Sequence, residues 1–78
     1  MIGDNMNTNK KYGGKLKNCT MPLLGIWVWG NLYDDPNKRW EDGKQVRTSA
    51  VVAIDEENKK IETLNTIYDY EVADYGTP

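Results

Sequence analysis

The longest apolar stretch of the chain is LLGIWVWGNLY, residues 23–33, which holds two of the three tryptophans. Strand alternation puts Ile26, Val28 and Leu32 on one side and Trp27, Trp29 and Tyr33 on the other. Both sides are apolar or aromatic. Two readings fit: a central strand covered on both faces, or a core strand whose outer face is a platform for a ligand. A second period-2 segment, residues 45–54, sets Val46, Thr48, Ala50, Val52 and Ile54 against Arg47, Ser49, Val51 and Ala53. In residues 59–64, Ile61 and Thr63 oppose Glu62 and Leu64. In residues 67–72, Tyr68, Tyr70 and Val72 oppose Asp69 and Glu71, which makes one side buried and the other wet. Turn residues separate these segments: Asp34-Asp35-Pro36-Asn37, Glu41-Asp42-Gly43-Lys44, Asp55-Glu56-Glu57-Asn58 and Asn65-Thr66. Asn58 is expected to take the left-handed conformation of its turn.

No segment carries a 3.6-residue period, so helix content is expected to be low. The pattern predicts an all-β fold, a small antiparallel meander of four to five strongly bent strands. Such a sheet closes into an SH3-like or OB-like barrel, or stays open and is completed by oligomerisation. Residues 67–72, with their outward acids, are the expected guarded edge.

Residues 1–20 contain scarcely an apolar side chain and include Gly13-Gly14. They are expected to be a flexible polar segment, with a short strand over residues 15–19 as the alternative. A single small β domain then fills residues 21–78, beginning at Met21-Pro22. With 78 residues the core is small, and a homo-oligomer is expected. Cys19 is the only cysteine, and residues 1–11 show no apolar leader. Both point to a reducing, cytoplasmic setting, and no run is long enough to span a membrane.

The net charge of −2 is unevenly placed. Residues 1–20 carry Lys10, Lys11, Lys15 and Lys17 against Asp4, and the remainder is acidic. An acidic body makes a long nucleic acid an unexpected partner. The chain has no histidine, and its lone cysteine falls in the segment read as flexible. There is no phosphate-binding glycine loop. Most carboxylates sit in turns, and their spacing matches no calcium loop. An enzyme, a metal and a cofactor are therefore not expected.

A binding role has more support. Trp27, Trp29 and Tyr33 form an aromatic row with about 6–7 Å between alternate residues, on which bases stack. Arg47, Thr48 and Ser49 bring a guanidinium and two hydroxyls to the next strand, the donor set that suits phosphate oxygens. Arg39 and Trp40 lie in the loop between the two strands. The candidate ligand-binding residues are thus Trp27, Trp29, Tyr33, Arg39, Trp40, Arg47, Thr48 and Ser49. The opposing reading makes the three rings core and pairs Arg47 with Glu62 or Glu71 across the sheet.

The runs W-x-W-G-x-x-Y, R-W-E-D-G-x-x-V-R-T-S-x-V-V-x-I-D and I-E-T-x-N-T-x-Y give the chain a further mark. Over residues 24–70 it resembles short β proteins carried by phages and prophages, with Trp40 where that group more usually has Phe. The resemblance implies a viral protein acting in the cytoplasm of an infected bacterial host, of the host-defence antagonist type. Three functions follow as expectations. The first is an anti-defence sponge that sequesters a small nucleotide-like immune signal. The second is an inhibitor, anti-CRISPR-like, that blocks a host defence protein through an acidic surface of Asp34, Asp35, Glu41, Asp42, Asp69 and Glu71. The third is a structural phage protein without a ligand.

Overall fold

The structure, a computed structural model, describes residues 10–73. It is all-β: six strands, β1 (Lys11–Cys19), β2 (Trp29–Tyr33), β3 (Lys44–Arg47), β4 (Val51–Asp55), β5 (Lys60–Thr63) and β6 (Thr66–Val72). Among the described residues there is no helix, and none long and apolar enough to cross a membrane. The strands form one mixed sheet in the order β3-β2-β1-β6-β5-β4, not closed into a barrel. Neighbours are antiparallel except β1 and β6, which run parallel. The arrangement is therefore six-stranded and mixed, where the hydropathy pattern suggests a meander of four or five strands.

The largest correction concerns residues 1–20. Residues 1–9 lie outside the described residues, but Lys11–Cys19 is a central strand rather than a loose segment. Leu16 and Cys19 are fully buried, and Lys15 and Lys17 alternate with Leu16 onto the other face. Gly13 and Gly14 are buried because the chain passes close to its neighbours there. A Cβ on Gly13 would sit 2.5 Å from Thr66 Cγ2, and one on Gly14 would sit 2.5 Å from the Tyr33 carbonyl oxygen. Two glycines that read as floppy are points of tight contact. The domain boundary expected at Met21-Pro22 falls in the loop that joins β1 and β2, two neighbouring strands of one sheet. Residues 74–78 of the expected frayed C-terminus lie outside the described residues.

The segment of residues 23–33 is strand only from Trp29 onward; Pro22 precedes it and Gly25 adopts φ +85°. Residues 20–28 instead form the loop of the β1–β2 hairpin. Thr20 closes it, donating its N–H to the Trp29 carbonyl at 3.0 Å and accepting the Trp29 N–H on its hydroxyl at 3.3 Å. The segment of residues 45–54 is two strands, not one. Thr48 breaks it: its hydroxyl accepts the Val28 N–H at 3.0 Å and donates to the Ser49 carbonyl at 2.7 Å. β3 and β4, joined by only three residues, are the two edges of the sheet, so the sheet must curl to bring them near. The loop helps to span the remaining gap. Val51 donates to the Ile26 carbonyl at 3.0 Å, Gly25 to the Val51 carbonyl at 2.8 Å, and Thr48 to the Val28 carbonyl at 2.9 Å. β6 is internal, not the guarded edge.

The core lies on the inner face of this curl: Leu16, Cys19, Val28, Leu32, Val51, Ile61 and Tyr70, with Val46, Ile54, Tyr68 and Val72 packed against it. The alternation expected for residues 67–72 agrees, with Tyr70 buried and Glu71 exposed. Glu62 is buried on the other face and meets Lys10 Nζ at 2.6 Å. In the β4–β5 turn Asp55 accepts the Asn58 backbone N–H at 3.2 Å and its side-chain amide at 2.9 Å. The positive φ of that turn falls on Lys59, at 55°, rather than on Asn58.

Candidate functional site

Trp29 opposes Arg47 across the β2–β3 ladder, so the two side chains share one face of the sheet. Val28 points inward at the start of β2, which leaves Trp27 and Trp29 outward together. Their rings meet edge to face, centroids 5.7 Å apart and planes at 81°. Arg47 caps both, its Cζ 5.4 Å from the Trp27 centroid and 5.9 Å from that of Trp29. Each of these contacts is worth about 0.5–1 kcal/mol at an exposed site. Trp27 remains 43% exposed and Trp29 38% exposed, so the rings are presented rather than packed away.

Further along the same face come Asn31, Lys17, Tyr33 and Lys15, since Lys17 opposes Asn31 and Lys15 opposes Tyr33. Lys17 Nζ lies 4.9 Å from the Tyr33 ring centroid. Asn31 is held by donating its amide to the Gly43 carbonyl at 2.9 Å. The ion pairs of the described residues are Lys10–Glu62, Arg39–Asp35 and Lys60–Asp69, and Lys15, Lys17 and Arg47 enter none of them. Among the described residues the outer face of β1–β3 therefore carries aromatic rings interleaved with Lys17 and Arg47, which enter no ion pair. Lys15 joins them; it lies across the ladder from Asp69 and favours the ionised form of that carboxyl. Rings among cations are the donor set for an anion bearing a flat ring. Arg47 does not pair with Glu62 or Glu71 across the sheet; it stacks on indole instead.

The remaining candidates stand elsewhere or have another task. Thr48 is buried and spends its hydroxyl on the crossover between sheet edges. Ser49 is half-buried beside it and supplies the acceptor carbonyl. Arg39 and Trp40 belong to the loop at the Tyr33 end of the β2–β3 hairpin, separated from Trp29 by roughly 13 Å of strand. That loop is organised by Asp35, which is buried and accepts the Asn37 N–H at 2.9 Å, the Arg39 N–H at 3.0 Å and Arg39 Nε at 3.2 Å. Burial opposes ionisation of Asp35, yet these donors hold its carboxyl below the usual range. Trp40 lines a shallow depression with Lys38, Arg39, Glu41 and Asp42, and Lys44 Nζ sits 5.9 Å from its ring. The eight sequence candidates thus divide. Trp27, Trp29 and Arg47 come together, Tyr33 extends their face, and Arg39, Trp40, Thr48 and Ser49 do not join it.

Lys15 and Lys17 are the residues that sequence reasoning passed over. The signal was present, since Lys15-Leu16-Lys17 is a short alternation inside the alternative strand over residues 15–19, but the polar composition of the segment favoured the flexible reading. Cys19 is fully buried in the core, not in a loose segment, and burial pushes its thiol up, away from the thiolate. Among the described residues no group of three or more His, Cys, Asp or Glu side chains is placed to hold a metal ion. Comparison with family models, with curated proteins and with solved structures finds no match to this chain.

Proposed function

We propose that the chain is a non-enzymatic binding protein that captures a nucleotide-like anion on the outer face of β1–β3. The observation that supports this is the Arg47 guanidinium lying against two exposed indoles, Trp27 and Trp29. A base stacked on an indole gains roughly 1–3 kcal/mol, and Arg47, which meets no carboxylate among the described residues, suits a phosphate. Lys17 and Tyr33, further along, suit a second phosphate or a ribose. The motif resemblance supplies the setting: a phage-type protein in the cytoplasm of an infected bacterium, where sequestering a nucleotide immune signal of the host would disarm a defence system.

Calorimetry against a panel of cyclic nucleotides and ADP-ribose tests the proposal. Micromolar or tighter binding to a panel member, lost in a folded Arg47→Ala variant, supports it. Absence of heat across the panel, or equal binding by Arg47→Ala, overturns it. The rival reading, an acidic surface that blocks a defence protein, retains fewer carriers. Asp35 is buried and Asp69 is committed to Lys60 at 2.6 Å and Tyr12 at 2.5 Å, leaving Asp34, Glu41, Asp42 and Glu71 exposed.

A further inference from the structure

We infer that the loop of residues 20–28 is the contact surface between two copies of this chain. The inference does not depend on the nucleotide reading. Large apolar side chains crowd this loop and point to solvent: Met21 and Leu24 are each 65% exposed, and Leu23 and Ile26 are about half exposed. They are not loose. The loop backbone is tied to Val51 and Thr48 by three hydrogen bonds of 2.8–3.0 Å, so the side chains are held outward by an anchored main chain. Little ordering is then lost when they are covered.

Together with Trp27 at its border, the loop shows roughly 600 Å² of surface, at the upper end of the largest patch on an ordinary monomer and most of the ~800 Å² that one partner gives to a standard interface. Beyond the loop, Met21 and Pro22 line a depression with Ile54, Tyr70 and Val72 and with the charged Glu56 and Lys59.

Charge identifies the occupant. From Asn18 to Tyr33 no residue is charged, in a chain where 28% of residues are. In a two-fold contact the same patch faces itself, and a group on the axis meets its own copy, so a charge there would repel itself. A net-acidic chain meets its own copy with least repulsion where its surface is uncharged, and the residues of this loop are uncharged. A lipid surface is held by basic side chains set among the apolar ones, and none lies within this stretch.

Light scattering of the full chain without nucleotide, over about 1–100 µM, tests the inference. The expected mass is twice the 8.9 kDa of one chain. Leu24→Asp and Ile26→Lys, both at exposed positions, should each raise the dissociation constant at least about 30-fold. Their circular dichroism should match that of the parent. A mass of 8.9 kDa throughout overturns the inference. So does a dimer that both variants leave intact, or a monomer that instead floats with phosphatidylcholine vesicles. Trp27 belongs to both surfaces, so nucleotide binding is measured separately on each variant, and loss of the dimer does not by itself decide it.

Discussion

Leu16 offers the sharpest test of the sheet order. It is fully buried, and its backbone pairs with Leu32 on one side and Tyr70 on the other. Leu16→Ala removes three carbons from the middle of the inner face, and the flanking strands cannot collapse into the gap without breaking register. A leucine truncated at such a site costs about 2–5 kcal/mol, and the tight surroundings place this one in the upper half. A domain of 78 residues has a total stability of about 4–12 kcal/mol, so the variant should be severely weakened or unfolded. Urea denaturation followed by tryptophan fluorescence and far-ultraviolet circular dichroism measures the loss. Lys17→Ala is the control on the same strand: it gives up only the contact with the Tyr33 ring and should cost about 1 kcal/mol or less. Deleting residues 1–20 should abolish folding. A Leu16→Ala cost below about 1 kcal/mol, or an unchanged melting temperature after the deletion, would refute the placement of β1 at the sheet centre.

Gly14→Ala meets two obstacles, a φ of +110° and a carbonyl oxygen 2.5 Å from the new Cβ; it should destabilise by about 1–3 kcal/mol, and a neutral result would mean that the close approach to Tyr33 is absent. Acid should unfold the protein through its aspartates. Asp35 and Asp69 are held below the usual range by hydrogen bonds and cations that outweigh burial, and Asp55 is held there by its bonds to Asn58. A depressed folded value means that the unfolded chain binds more protons, so this stability is present above the ordinary value of about 3.9 and is lost as pH falls below it. Asp35→Asn should be less stable than the parent at pH 7 and lose less on acidification; parallel pH profiles for the two proteins would contradict the depression of Asp35 by its bonds to Asn37 and Arg39.

The alternation of residues 27–33 was legible because the rings and the aliphatics fall on opposite sides: Val28 and Leu32 are buried, and Trp27 and Trp29 are not. The same holds for Tyr70 and Glu71 in β6. β1 was legible only as the alternative strand over residues 15–19, because its contribution to packing is made by glycines, which register in a sequence as flexibility, and by Leu16 and Cys19 set among polar residues. The break at Thr48 was hidden for a different reason. Threonine is at home in a strand, and only its tertiary bond to Val28 turns the chain from one sheet edge to the other. Of the site, the adjacency of the strands that carry Trp29 and Arg47 could be read, but the register that sets the two residues opposite each other could not. Arg39 and Trp40 could not be excluded by pattern, because their position depends on Asp35 gathering the loop around itself.

The platform itself can be observed through its own fluorescence. The chain has three tryptophans, and in a Trp40→Phe variant excited on the indole band beyond tyrosine absorption only Trp27 and Trp29 remain to emit. Titrating cyclic nucleotides and ADP-ribose into that variant should give saturable quenching by a panel member, because a base stacked on either indole takes up its excited state. Adding Arg47→Ala should remove the saturation while leaving the starting spectrum of a folded protein. Emission that falls only linearly with every nucleotide, as free collisions produce, would contradict the claim that this face is a binding site.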